Sequence, residues 1–439
     1  MLIDKTTLYD LSIFDYKEEQ SLLHHLNFCK TNHGKIWLEH YLKTTLSSVK
    51  EITERQQLLQ QIISVHAQWP ETISNGSVLM IEKFYESQID NIPSNANIVN
   101  ANIYKVLYAP DFSLLRYSVT HFIDFIQGIS TIYNLLNKET NTAGIEVLLH
   151  RIKILLSKPV AREIVNYKQS KKISLKNILR FGFFIRFDYK QEAQELIGVY
   201  SRFDALFSLA TACIRYQYTF PEFTQHIIPH FEAKQLYHPL LTTPVAYDIT
   251  LTPDQNFLFL TGANMAGKST FIKAVGVSTY LAHIGMGVPA QSLQLNFFDG
   301  LISNIHVIDN IIKGESYFFN EVQRIRKTVE QITDGRNWLV LIDELFKGTN
   351  VQDAMKCSTT VIEGLLKINN ALFILSTHLY EIGEDLKKYD HILFRYFETE
   401  VKDEQLFFNY ALREGISKDR LGYLILKKEG VVDLLKNLK

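Results

Sequence analysis

Apolar positions recur with a helical period through the first half of the chain and then give way to short, unbroken apolar runs. In "HFIDFIQGISTIYNLLN", Phe122, Ile126, Ile129, Tyr133 and Leu136 fall at 4-3-4-3 spacing, one face of a helix. In "DYKQEAQELIGVYSRFDALFSLATACIRY", Tyr189, Ala193, Leu196, Tyr200, Phe203, Phe207 and Ala210 continue as 4-3-4-3-4-3, a seam along a long helix. One such stripe is an ordinary core helix; two long ones in a stretch poor in Gly and Pro predict a helical domain with extended arms. The pattern changes near "YHPLLTTPVAYDITLTPDQNFLFL", where Pro239 and Pro244 break the helical period and "PDQN" reads as a turn. Beyond it, "FLFL", "WLVLI" and "ALFIL" alternate with helical segments, as buried parallel strands do. The chain is therefore expected to be multidomain, with an all-α domain over residues 1–235 followed by an α/β nucleotide-binding domain over 236–439.

Composition narrows the class without changing that picture. With 439 residues, two to four domains are expected, and 46% hydrophobic content supports more than one core. A net charge of −1 is not that of a small, wholly basic nucleic-acid binder, although it leaves room for a local basic strip. Cys29, Cys213 and Cys357 lie far apart, with neither zinc spacing nor a disulfide framework, as suits a reducing compartment. The polar N-terminus does not read as a signal peptide, and no apolar run approaches the length needed to span a membrane. A cytoplasmic protein without a membrane partner is the expectation.

The chemistry is concentrated after the change of pattern. Gly262, Ala263, Asn264, Met265, Ala266, Gly267, Lys268 and Ser269, followed by Thr270, fit G-x-x-x-x-G-K-[S/T] between a predicted strand and a predicted helix. Such glycines let backbone N–H groups and a helix N-terminus surround phosphates. Lys268 would reach the β- and γ-phosphates, and Ser269 would bind Mg²⁺. "WLVLIDELFKGTN" ends an apolar strand in Asp343 and Glu344. Asp343 is assigned to the metal and Glu344 to the attacking water as general base. After "ALFIL", His378 stands where a side chain senses the γ-phosphate. ATP and Mg²⁺ are the expected cofactors.

These residues resemble the MutS family of DNA mismatch-repair ATPases, within the ABC-type ATPases. "TGANMAGKST" is similar to that family's phosphate loop, and "LIDELFKGTN" to its magnesium-binding strand with the turn at Gly348 and Thr349. "GESYFFNE" resembles its Ser-x-Phe segment through Ser316, Phe318 and Glu321, and "LSTHLYEI" its switch-histidine segment. "HIGMGVPAQ" and "EGISKDRLGY" are also similar, so the likeness spans about 236–430. More weakly, "CKTNHGKIWLEHYLKTTLSSVKEITERQ" resembles the start of the family's core helical domain, and the 189–210 stripe its lever helix. The resemblance implies a core/lever domain over 1–235 and an ABC-type phosphate-loop ATPase domain over 236–439 with C-terminal dimerisation helices. It also implies a homodimer in which Ser316 completes the partner's nucleotide site. The N-terminal mismatch-reading domain is expected to be absent and the clamp absent or stunted. Ala263 and Ala266 depart from the family's Pro and Gly. Val245 stands near an expected adenine-stacking aromatic, for which Tyr247 is the substitute.

One strip bears on nucleic acid. "KQSKKISLKNILRFGFFIRFDYK" carries Lys168, Lys171, Lys172, Lys176, Arg180, Arg186 and Lys190, interleaved with Phe181, Phe183, Phe184 and Phe187. Phosphate neutralisation with stacking on bases is one reading; a helical arm with a solvated basic face and a buried Phe face is the other. The function expected is ATP-gated binding of double-stranded, mismatched or branched DNA. The alternative is the same ATPase acting as a switch on a protein or structured RNA.

Overall fold

The computed structural model describes all residues except 16, 139–142, 169–172, 225–228, 306–316, 403–404, 418–425, 428–429 and 437–439. The chain divides into two compact units. One comprises Met1–His25, Thr45–Ile52 and Tyr216–Lys439; the other comprises Leu26–Thr44 and Thr53–Arg215. The division is more interleaved than a single boundary at 235/236, because the first 25 residues and the strands from Glu222 onward group with the α/β unit.

In chain order the helices begin with α1 (Lys5–Asp10), α2 (Leu22–His25), α3 (Asn32–Lys43), α4 (Val49–Ser64), α5 (Asn75–Glu86) and α6 (Ile98–Leu107). There follow α7 (Ala109–Leu136), α8 (Ala143–Leu155), α9 (Pro159–Val165), α10 (Leu175–Phe183) and α11 (Lys190–Arg215). The described residues of the second unit contain no strand. Its two long helices are those the periodicity predicts. Phe122, Ile126, Ile129 and Leu136 of α7 are buried, and Tyr133 is half-buried. The whole 189–210 seam is buried. Asp204, buried on α11, accepts hydrogen bonds from the backbone N–H of Lys30 and Thr31, each at 2.8 Å. It also accepts one from Thr31 Oγ1 at 2.7 Å, while Thr31 itself caps α3. Burial pushes the Asp204 carboxyl upward against those bonds. The α11 helix is also long and apolar enough to cross a membrane, although its sequence holds no unbroken apolar run; most of it is buried among its neighbours.

The other unit is built on a seven-stranded sheet. Its strands are β1 (Leu2–Ile3), β5 (Phe257–Thr261), β7 (Gly300–Asn304), β8 (Trp338–Asp343), β9 (Ala371–Ser376), β10 (Ile392–Lys402) and β11 (Gln405–Glu414). The order is β1-β7-β8-β9-β5-β10-β11, parallel except for the antiparallel β10–β11 hairpin. Every residue of β5, β7, β8 and β9 is buried, which is why β5, β8 and β9 read as continuous apolar runs. The remaining helices are α12 (Lys268–His283), α13 (Tyr317–Ile332), α14 (Val351–Leu365), α15 (Glu381–Leu386) and α16 (Val431–Lys436). Of the expected C-terminal dimerisation helices, only α16 falls among the described residues. A second sheet, β2 (Glu222–Thr224), β6 (Ser292–Asn296), β3 (Phe231–Leu236) and β4 (Tyr247–Leu251), is ordered β2-β6-β3-β4. The N-terminal residues are an unexpected part of this unit: β1 adds a parallel strand beside β7, and α1 packs on β7.

Candidate functional site

β5 carries its buried residues straight into the turn that precedes α12. The turn needs left-handed backbone at Gly262 (φ 139°) and Gly267 (φ 106°), conformations glycine adopts without strain. Met265 also takes positive φ, at 70°. Gly267 is the residue before α12, and no side chain from it caps the helix, so the first N–H groups of α12 are presented to an anion. Lys268 is buried, and its ammonium donates to the carbonyls of Gly262 (2.8 Å) and Ala263 (3.0 Å). Burial lowers its pKa, while Glu344 and Asp343 oppose the shift.

β8 ends in the carboxylate assigned to the metal. Asp343 accepts from Ser269 Oγ at 2.5 Å through one oxygen and from Ser376 Oγ through the other. A serine hydroxyl and a carboxylate oxygen in contact are hard oxygen donors, a set suited to Mg²⁺ completed by water and phosphate oxygens. Among the described residues no cluster of three or more His, Cys, Asp or Glu forms a metal cage of protein ligands alone. The backbone then kinks: Glu344 and Phe346 have φ of 67° and 59°. Such strain in non-glycine residues marks a place where geometry is imposed by the surroundings. Part of that support is visible. The Glu344 N–H donates to Ser376 O at 2.9 Å. The buried Glu321 carboxylate accepts from the N–H groups of Lys347 (3.1 Å) and Gly348 (3.2 Å). Phe318 packs on Phe346 with ring centroids 5.7 Å apart. The start of α13 and the turn after β8 are thus one assembly.

Glu344 lies 3.2 Å from Lys347 Nζ and 3.6 Å from His378 Nδ1. Burial alone would raise its pKa. The bond to His378 and the nearby Lys347 charge outweigh that and hold the carboxyl at about 2, so it is ionised at neutral pH. His378 itself is mostly exposed, beyond the end of β9.

A cavity of about 560 Å³ opens over the loop. Ala263, Asn264, Met265, Gly267, Lys268, Ser269, Thr270 and Glu344 line it on the phosphate side. Leu241, Thr243, Val245, Tyr247 and Tyr410 line the rest. Tyr247, expected to stack on a base, is buried and wedged nearly perpendicular to Phe271 (5.4 Å) and Phe397 (5.6 Å). Its ring is part of the packing that supports the loop. Tyr410, which no sequence motif points to, is the more exposed aromatic at the cavity, with left-handed backbone (φ 55°). Nothing local marks it, since it arrives on β11, far along the chain from the loop. Ala266 is buried behind the loop. Ser316 lies outside the described residues.

In the helical unit the basic strip separates into different roles. Lys168 and Lys176 are exposed; Lys171 and Lys172 lie outside the described residues. Arg180 pairs with Glu163 and lies over the Phe181 ring. Arg186 departs from its expected role. Its guanidinium donates to the carbonyls of Phe84 (2.7 Å), Tyr85 (3.2 Å) and Ser87 (2.7 Å), closing the C-terminal end of α5. Phe181 and Phe184 are buried and Phe187 is exposed, so most of the aromatic interleaving is core packing.

A parallel sheet with a glycine turn at the end of β5, a helix N-terminus facing it and a carboxylate at the end of β8 places this unit in the phosphate-loop class of nucleotide-binding folds. The family model described as MutS domain V matches residues 258–434. The DNA mismatch repair protein MutS of Pseudothermotoga lettingae is 32% identical over 230 residues, covering 52% of this chain and 28% of that protein. DNA mismatch repair protein msh3 of Aspergillus oryzae is 30% identical over 243 residues, 53% of this chain and 22% of its own length. Human MutS protein homolog 4 is 31% identical over 237 residues, 52% and 25% of the two chains. Residues 258–434 are thus similar to MutS domain V, and the matched region spans about a quarter of the length of these relatives.

Proposed function

We propose that this protein is an ATP-dependent DNA-binding protein in which Mg²⁺–ATP bound and hydrolysed at the α/β unit governs the grip of the helical unit on DNA. The observation that carries the reading is the convergence of Lys268, Ser269 and Glu344 at one cavity, with Asp343 bonded to Ser269, within a region that matches MutS domain V and is similar to DNA mismatch repair proteins. ATP phosphates occupy the loop, and the Lys268 ammonium exchanges its carbonyl partners for phosphate oxygens. Ser269 and Asp343 hold Mg²⁺, which when bound neutralises phosphate charge. Glu344, ionised and braced by His378 and Lys347, orients the attacking water and accepts its proton. Tyr410 and Val245 face the base. Ser316 of a second subunit completes the site, so that ATP closes a homodimer and hydrolysis reopens it. Lys168, Lys171, Lys172, Lys176 and Arg180 are the candidates for phosphate contact; Arg186 is withdrawn from that set.

A switch acting on a protein or structured RNA is the second reading, favoured by the burial of Phe181 and Phe184 and by Arg186's engagement with carbonyls, which shrink the surface available to bases. Fluorescence anisotropy against matched, mismatched and branched DNA and structured RNA, with and without ATP at two salt concentrations, separates them. Nucleotide-dependent binding to a DNA form supports the first reading. No binding to any DNA, with ATP hydrolysis intact, refutes it.

A further inference from the structure

The α6 helix is amphipathic the wrong way round for a core helix. Ala101 and Tyr104 fasten it, both buried, with the Tyr104 ring stacked on Tyr108 at 5.2 Å and edge-on to Phe112 at 6.5 Å. The other side faces solvent: Ile98 is 69% exposed, Val99 64%, Ile103 50%, Val106 76% and Leu107 70%. At about 100° per residue these five side chains fill a continuous half of the helix circumference. Asn102 is the one polar residue inside that arc, and Asn100 and Lys105 stand at its two borders. Exposed Tyr108 extends the patch to the junction with α7. Single exposed apolar residues are ordinary, but a contiguous apolar half-helix marks a surface that something covers.

We infer that this face is a contact between two copies of the chain. Its area and its lack of charge both point there. The six side chains expose on the order of 600 Å² per copy, so a two-fold pair buries about 1,200 Å², within the range of a stable interface. The α6 arc carries no acidic side chain and has Lys105 at its border, and Asp111 and Arg116 on the start of α7 are one charge of each sign, so the face offers nucleic acid no basic pattern. Val99, Ile103 and Val106 lie at 4-3 spacing, the seam by which one helix packs on another like it. A two-fold axis near Val106 lets the same residues serve on both sides. The contact needs no nucleotide. It is therefore separate from the ATP-driven closure proposed above, and it would keep two copies paired whatever the state of Lys268.

Light scattering on the full chain without nucleotide tests it, comparing the native protein with the double variant Val106→Glu/Leu107→Glu. Both positions point into solvent, so the variant is expected to keep its helical circular dichroism and melting midpoint. The native chain should have twice the mass of the variant. Val106→Cys should form a disulfide-linked dimer under a mild oxidant, and Lys138→Cys, elsewhere on the same unit, should not. A native chain monomeric without nucleotide, or a double variant of unchanged mass, overturns the inference. If dimerisation instead appears only with ATP, in Glu344→Gln and equally with or without the α6 changes, the α6 contact fails while the nucleotide-site reading stands. If the α6 dimer forms and ATP changes nothing in Glu344→Gln, the reverse holds.

Discussion

Replacing Asp10 by Ala is expected to destabilise the α/β unit. Asp10 is completely buried at the end of α1. Its carboxylate accepts from Ser303 Oγ at 2.8 Å and from the Ile305 N–H at 3.0 Å, with Arg324 Nη2 3.7 Å away. Nearby, Thr7 Oγ1 accepts from the Ser303 N–H at 2.9 Å. Alanine removes the acceptor and strands a hydroxyl and a backbone N–H in the interior. Hydrogen bonds to a charged group contribute about 1.5–3 kcal/mol each, and relief of the buried carboxylate's own desolvation offsets part of that. A net loss of about 3 kcal/mol follows. A unit of this size loses about 2–4 °C per kcal/mol, so its melting midpoint should fall by roughly 6–12 °C. Trp338 sits on β8 beside β7, so its fluorescence follows this unit during heating. Asp10→Asn should fall between, since its amide oxygen still accepts one bond. A Trp338 midpoint for Asp10→Ala within about 2 °C of the native value, against that expected fall, would refute the claim that the N-terminal segment is anchored in this sheet.

Other expectations concern the sites directly. Lys268→Ala should lose ATP binding in an equilibrium titration, because a buried ammonium is the loop's only lysine. Glu344→Gln should still bind ATP while turnover falls by about 10²–10⁴, the contribution typical of a general base. The Glu344 carboxyl is held near 2, below its unfolded value, so its contribution to stability is fully present above the unfolded value and is lost as pH falls toward 2. The pH–rate profile from 5 to 7 should accordingly show no acid limb from this group, and a limb that disappears in Glu344→Gln would contradict the assignment. Arg186→Ala should lower the melting midpoint of the helical unit by freeing three carbonyls, yet leave the salt dependence of DNA binding unchanged. Neutralising Lys168 and Lys176 should do the opposite, reducing the log–log salt slope by about 0.9 for each phosphate no longer neutralised.

What could be read from the sequence was local. The phosphate loop is a run of adjacent residues between a strand and a helix, and β5, β8 and β9 each declare themselves as four or five apolar neighbours. The seams of α7 and α11 are equally local, and almost every residue named in them is buried. What escaped depends on partners distant in the chain. β1 is two residues long and has no period to detect. Asp10 finds Ser303 across 293 positions. Tyr410 reaches the cavity on a hairpin far from the loop, and Tyr247 loses its expected role because Phe271 and Phe397 enclose it. Arg186 reads as one more basic residue in a strip until the end of α5 is seen beneath it. Periodicity also cannot tell which side of a helix faces the core, so the apolar arc of α6 becomes informative only once that face is seen to point outward.

In the proposed mechanism, nucleotide at Lys268 and Glu344 sets the strength of the grip on DNA. The most direct test is the dissociation constant for duplex DNA of Glu344→Gln, measured with no nucleotide and with saturating Mg²⁺–ATP at one fixed salt concentration. A change of about 5- to 150-fold between the two conditions is predicted, the range expected when two sites share a coupling free energy. Equal constants, with ATP shown to be bound in the same sample, would contradict it.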